Sequence, residues 1–105
     1  MEAKMNNLNY WVQDCEPLRL DTYYTAALEA VGFTVLGKVE HFFNPHGWTC
    51  LYLLSESHLA IHTFPEECKA YVELSSCVDE PFKNFLKQIA TDKREKNLFY
   101  KCVAL

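Results

Sequence analysis

A chain of 105 residues is near the size of one ordinary domain, and with half its residues hydrophobic and 14% aromatic it can build a single core. A formal charge of −4 at pH 7 argues against a nucleic-acid or anionic-membrane partner and suits a cationic small molecule. No apolar run approaches the ~20 residues of a membrane span, and five cysteines without a C-x-x-C pair read as free thiols in a reducing cytoplasm.

Residues 1–7 read as a frayed leader. Leu8, Tyr10 and Val12 alternate with polar residues, which predicts a strand over Leu8–Cys15 with Trp11 as the exception. Pro17 suits a first helical turn; Leu20, Tyr24, Ala27, Leu28 and Val31 recur at helical spacing, and Gly32 closes the helix. Strands are predicted over Phe33–Phe43, Trp48–Ser55, Leu59–Phe64 and Ala70–Cys77, with Asn44-Pro45-His46-Gly47 and Pro65-Glu66-Glu67 as turns. Asp79-Glu80-Pro81 starts a second helix with Phe82, Phe85, Leu86, Ile89 and Ala90 on one face. The mixed charges of Asp92–Lys96 predict a solvated loop, and Asn97–Leu105 a last strand. This order gives a single α+β domain, a two-layer sandwich with both helices on one face of an antiparallel-rich sheet.

Side chains alternate along a strand, so Leu59 and Ile61 share one face while His58, Ala60, His62 and Phe64 share the other. In the next strand Val72 and Leu74 oppose Tyr71, Glu73, Ser75 and Cys77. Helices can cover the Leu/Ile/Val face; the other keeps histidine, glutamate, serine, cysteine and aromatic rings, either as plain solvent-exposed surface or as a site against a second sheet. Ser57 breaks the pattern. An ideal strand turns it away from His62, and the two meet only if Ser57 sits in the turn before the strand.

The run Glu56-Ser57-His58-Leu59-Ala60-Ile61-His62-Thr63-Phe64-Pro65-Glu66, with Cys77 twenty residues after Ser57, resembles the prokaryotic S-adenosylmethionine decarboxylase proenzymes. The resemblance is close from about His41 to Cys77 and weaker outside. It implies self-cleavage between Glu56 and Ser57 into chains 1–56 and 57–105, with Ser57 converted to a covalent pyruvoyl cofactor. It also implies a homodimer of processed protomers whose polar sheet face lies near the partner. The substrate it implies is S-adenosylmethionine, decarboxylated for polyamine synthesis, with the pyruvoyl ketone forming a Schiff base to the substrate amine.

Each residue has a plainer reading beside the implied one. Ser57 alone is an ordinary turn hydroxyl; by resemblance it attacks the Glu56 carbonyl. His62 alone is a structural histidine; by resemblance it is the base that removes the Ser57 α-proton, a task its ordinary pKa of ~6.5 suits. A metal pair of His58 and His62 is a lesser possibility, since no set here has standard zinc spacing. Cys77 is either a small buried hydrophobe or, by resemblance, the acid that protonates the substrate carbon. Thr49 stands where the family has a serine hydroxyl that assists processing. Glu66 is an exposed turn acid or the carboxylate for the ribose hydroxyls; Phe43 and Phe64 are core or the aromatic lining of the adenine and sulfonium site.

The chain departs from the family pattern at Asn6-Asn7, where a Gly-x-His is usual, at Val78, where a glycine is common after the cysteine, and in its short tail. These leave the reaction type standing and keep arginine or ornithine open as substrates. A regulatory homologue that does not process is the alternative of another class, and intact Glu56, Ser57, His62 and Cys77 speak against it.

Overall fold

The computed structural model describes residues 3–96 and 103–104. Strands β1 (Asn6–Val12), β2 (Val35–Phe42), β3 (Trp48–Leu54), β4 (Ser57–Phe64), β5 (Lys69–Ser76) and β6 (Val103–Ala104) form one sheet in the order β2-β3-β4-β5-β1-β6. Every pairing is antiparallel. Helices α1 (Pro17–Ala30) and α2 (Asp79–Lys96) complete the predicted α+β sandwich.

The period-2 pattern decides which face the helices cover. Leu8, Tyr10 and Val12 from β1, Cys50, Tyr52 and Leu54 from β3, Leu59 and Ile61 from β4, and Val72 and Leu74 from β5 are all buried. They form one core with Leu20, Tyr24 and Leu28 of α1 and Phe82, Phe85 and Ile89 of α2. Pro17 stands in the first turn of α1 and the Glu16 carboxylate accepts from Arg19 N–H, so the helix start is capped. Gly32 follows at φ 108, a conformation that only glycine adopts without strain.

Some boundaries differ from the sequence reading. Asn6 and Asn7 belong to β1 rather than to a frayed leader, because they pair with Ser76 and Ser75. Residues 92–96 continue α2 instead of forming a loop: Asp92 is buried and accepts hydrogen bonds from Tyr23 Oη and, one turn back, Gln88 Nε2. A charge with a partner inside the fold keeps a helix going where composition suggests solvent. Of the predicted last strand, Val103–Ala104 pair with Asn9 and Leu8; the remainder lies outside the described residues.

Asp21 of α1 ties the helix to the sheet. It accepts from Tyr52 Oη at 2.5 Å, from Lys38 Nζ at 2.9 Å and from Thr25 Oγ1 at 3.3 Å. Burial alone would raise its pKa, but the hydrogen bonds from Tyr52 and Lys38 outweigh burial and hold the carboxyl below its ordinary 3.8. A depressed folded-state pKa stabilises the fold above the unfolded value and is lost as pH falls through the folded one. Asp21→Asn should therefore be less stable near neutral pH, and its stability should fall less steeply than wild type as the pH drops below about 4. Urea denaturation across that range reads this directly; equally steep acid loss in the variant would assign the effect to other carboxylates.

Candidate active site

Leu54 pairs with Ser57, so β3 and β4 are joined by the two-residue loop Ser55-Glu56. Glu56 adopts a left-handed backbone at φ 58, a conformation that costs a non-glycine residue about 1–2 kcal/mol. Its carbonyl oxygen accepts from two groups of one residue, Cys77 Sγ at 2.9 Å and Cys77 N–H at 3.3 Å. Cys77 lies just past the end of β5 and is exposed, not within the strand as its alternation suggests. The peptide between Glu56 and Ser57 thus carries a twisted residue on one side and two donors on its carbonyl.

Ser57 does not sit in the turn. It is the first residue of β4, buried on the helix-covered face, because its pairing with Leu54 and with Ser76 puts it in the ladder. Its Oγ donates to Ser76 Oγ at 2.8 Å. Ser76, fully buried, is a residue the sequence reading passed over; only the register of β4 against β5 identifies it.

His62 occupies the opposite, open face of β4, five residues on. At the strand rise of ~3.3 Å per residue it is about 16 Å from Ser57. One chain therefore does not bring Ser57 and His62 together. His62 instead joins a cross-sheet row in which His41 pairs with Thr49, Thr49 with His62, His62 with Tyr71, and Tyr71 with Trp11. Thr49 Oγ1 and His62 Nδ1 are hydrogen-bonded at 3.0 Å.

The predicted ligand-lining residues gather at this second end. Phe43 is half exposed, with its ring 4.5 Å from that of His41, and its N–H donates to the Gly47 carbonyl at 2.8 Å. Phe64 lies 5.6 Å from Trp11, which in turn is 5.1 Å from Tyr71 and carries Lys69 Nζ 4.4 Å above its ring. Trp11, the exception in its strand by hydropathy, is thus part of an aromatic cluster around Phe64. Glu66, on the short 3-10 turn Pro65–Glu67, bonds His46 Nε2 at 2.8 Å.

The sheet's open face exposes Val39, Leu51 and Leu53 between the two groups. A concavity of about 750 Å³ lies instead beside α1, lined by Val12, Leu20 and Tyr24 among others, and includes none of the predicted site residues. Another, of about 520 Å³, includes Phe43 and His46. Among the described residues no three histidine, cysteine or acidic side chains converge as metal ligands.

A family model described as S-adenosylmethionine decarboxylase matches residues 13–98. An S-adenosylmethionine decarboxylase proenzyme of Parasynechococcus marenigrum is 44% identical over 72 residues, 63% of this chain and 56% of that protein. One from Prochlorococcus marinus strain MIT 9211 is 33% identical over 86 residues, 76% of this chain and 70% of that protein. The chain spans about 56–58% of the length of the first three curated relatives it matches. The crystal structure of the adenosylmethionine decarboxylase from Aquifex aeolicus superposes with a TM-score of 0.71 at 20% identity, covering 98% of this chain and 91% of that one, and so shares the fold. With the family model spanning both the Glu56–Ser57 loop and Cys77, the chain belongs to the S-adenosylmethionine decarboxylase family.

Proposed function

We propose that this chain is a self-processing, pyruvoyl-dependent decarboxylase of S-adenosylmethionine. The observation that carries the reading is the pair of Cys77 donors on the carbonyl of left-handed Glu56, next to a serine hydroxyl. Donors aimed at a carbonyl oxygen stabilise the negative charge that grows there when a nucleophile adds. Ser57 Oγ would add to the Glu56 carbon, and collapse would leave an ester and a free Ser57 amine. Removal of the Ser57 α-proton then expels residues 1–56 as the carboxylate and leaves dehydroalanine, which hydrolyses to pyruvoyl and ammonia. The residues at the proposed cut fit that cofactor: the hydroxyl and the polarised carbonyl that its formation needs are in one place. A pyruvoyl group there would supply an electron sink for decarboxylation, and Cys77, at that same end, would return the proton.

The base for the α-proton stands about 16 Å away in the same chain, and this separation supports a homodimer. Stacking two copies by their open sheet faces about a two-fold axis would set one copy's Thr49, His62, Phe43, Phe64 and Glu66 over the end of the other's sheet that carries the Glu56–Ser57 peptide and Cys77. The exposed Val39, Leu51 and Leu53 would form the apolar centre of that contact. Chains 1–56 and 57–105 would remain associated, since β3 and β4 flank the cut and stay paired over six residue pairs. Free Cys15, Cys50, Cys68 and Cys77 fit a cytoplasmic setting.

Phe43, Phe64 and Trp11 offer rings to a sulfonium and its adenine, and Glu66 offers a carboxylate to a ribose diol; arginine or ornithine would use only the carboxylate. S-adenosylmethionine is therefore the substrate favoured. A cation–aromatic contact of about 0.5–2 kcal/mol predicts that Phe43→Ala raises KM roughly two- to thirtyfold with self-cleavage intact. Release of labelled CO2 from carboxyl-labelled S-adenosylmethionine, arginine and ornithine by processed protein measures this; turnover of arginine or ornithine alone would replace the substrate and keep the mechanism.

Ser57→Ala should stay one chain of 12.2 kDa with no decarboxylase activity. Intact-mass spectrometry decides it: two chains from this variant would move the cut elsewhere, and an uncut wild type would favour a regulatory homologue. His62→Ala should stall at the ester, so that hydroxylamine releases the two chains without pyruvoyl. A normal pyruvoyl yield in that variant would remove His62 from the base role.

A further inference from the structure

We propose that Ser76 is a positioning residue for self-cleavage, holding the Ser57 hydroxyl with its lone pairs free to attack the Glu56 carbonyl. The inference rests on reading Glu56–Ser57 as the cleavage site, and adds a residue to it.

Ser76 is the direct cross-strand partner of Ser57 and is completely buried. It stands on the core face of β5 in line with Leu74, Val72 and Ala70, all at 0% exposure, so a hydroxyl is out of place there on burial grounds. Two facing hydroxyls in a core contribute little to folding that a matched apolar pair would not.

The hydrogen-bond directions give the pair a chemical meaning. Ser76 Oγ–H donates to the Val78 carbonyl at 3.1 Å, and Ser76 Oγ accepts from Val78 N–H at 3.1 Å. With its proton engaged, Ser76 can only accept from Ser57, whose Oγ lies 2.8 Å away. The Ser57 proton therefore points at Ser76, and no described group donates to Ser57 Oγ. Both lone pairs of the nucleophile remain available. The same two-residue segment, Ser76-Cys77, then handles both reactants: Ser76 the hydroxyl, Cys77 the carbonyl oxygen.

In the step itself, the bond from Ser57 Oγ to the Glu56 carbonyl carbon forms and the Glu56–Ser57 carbon–nitrogen bond breaks. The proton lost by Oγ ends on the freed Ser57 nitrogen, so the shift is proton-neutral and needs no co-reactant. Ser76 orients the hydroxyl for this step and has no part in the later α-proton removal.

The test follows the appearance of cut chains by intact mass after cell-free synthesis of the full chain, for wild type, Ser76→Cys, Ser76→Ala and Ser76→Thr. Ser76→Cys keeps the volume with a poorer acceptor and guards against a variant that fails to fold; far-ultraviolet dichroism checks each. Ser76→Cys and Ser76→Ala should cut about tenfold or more slowly, while Ser76→Thr, which keeps the hydroxyl, should recover most of the rate. Hydroxylamine should not speed the slow variants, because no ester accumulates in them. A wild-type chain that stays whole overturns both the cleavage site and the role of Ser76. A wild type that cuts, with folded Ser76→Cys matching its rate, overturns the role of Ser76 alone, as does acceleration of that variant by hydroxylamine or failure of Ser76→Thr to recover.

Discussion

The tight reversal between β3 and β4 is the constraint on which the site depends. Because Leu54 and Ser57 are paired, only Ser55 and Glu56 remain to turn the chain, and a reversal that short calls for a residue with positive φ. Glycine would take the position without strain, yet Glu56 occupies it at φ 58. The geometry aims the Glu56 carbonyl at the end of β5, where Cys77 meets it with two donors. The strain of about 1–2 kcal/mol is held by the ladder on either side, and cutting the following peptide would release it.

Strand parity then divides the chemistry between two faces and two ends. Odd positions of β4 from Ser57 to Thr63 point into the core, even ones toward the open face. Ser57 and His62 differ in parity and stand about 16 Å apart along the strand. No side-chain rotation in one protomer closes that gap. A second sheet laid antiparallel across the first would bring a partner's His62 to the Ser57 end of this one, which is why the proposed function and the proposed homodimer stand or fall together. The proposed cleavage would help on the serine side: the α-carbon of a new chain end would no longer be bound by the parity of a continuous strand.

The layers, the helix stripes and the covered face were legible because each follows a simple period: 2 in the strands, 3.6 in the helices. What escaped depends on contacts between distant segments. Residues 92–96 look solvated until Tyr23, 69 positions upstream, is seen to bond buried Asp92. Trp11 looks misplaced until β1 pairs with β5 and sets it beside Tyr71 and Phe64. Ser76 is one of several serines until the register places it on Ser57. The placement of Ser57 in the turn failed for a related reason: loop length is set by pairing, and pairing is not written in local alternation. The candidate residues themselves came from the motif, while their division into two clusters came from the register.

The threonine at position 49 shows how the second cluster would prepare its base. For His62 Nε2 to accept a proton, Nδ1 must carry the ring hydrogen, and its partner at 3.0 Å must accept it. Thr49 Oγ1 can do so and still has its own O–H to donate elsewhere. A serine there would make the same bond but could rotate among more side-chain positions; the extra methyl of threonine narrows χ1 and keeps Oγ1 on the ring. Thr49 is paired on its other side with His41, whose ring packs on Phe43. The base and the aromatic wall proposed for the substrate are thereby built on adjacent positions of one cross-strand row, so a shift in register that displaced one would displace both.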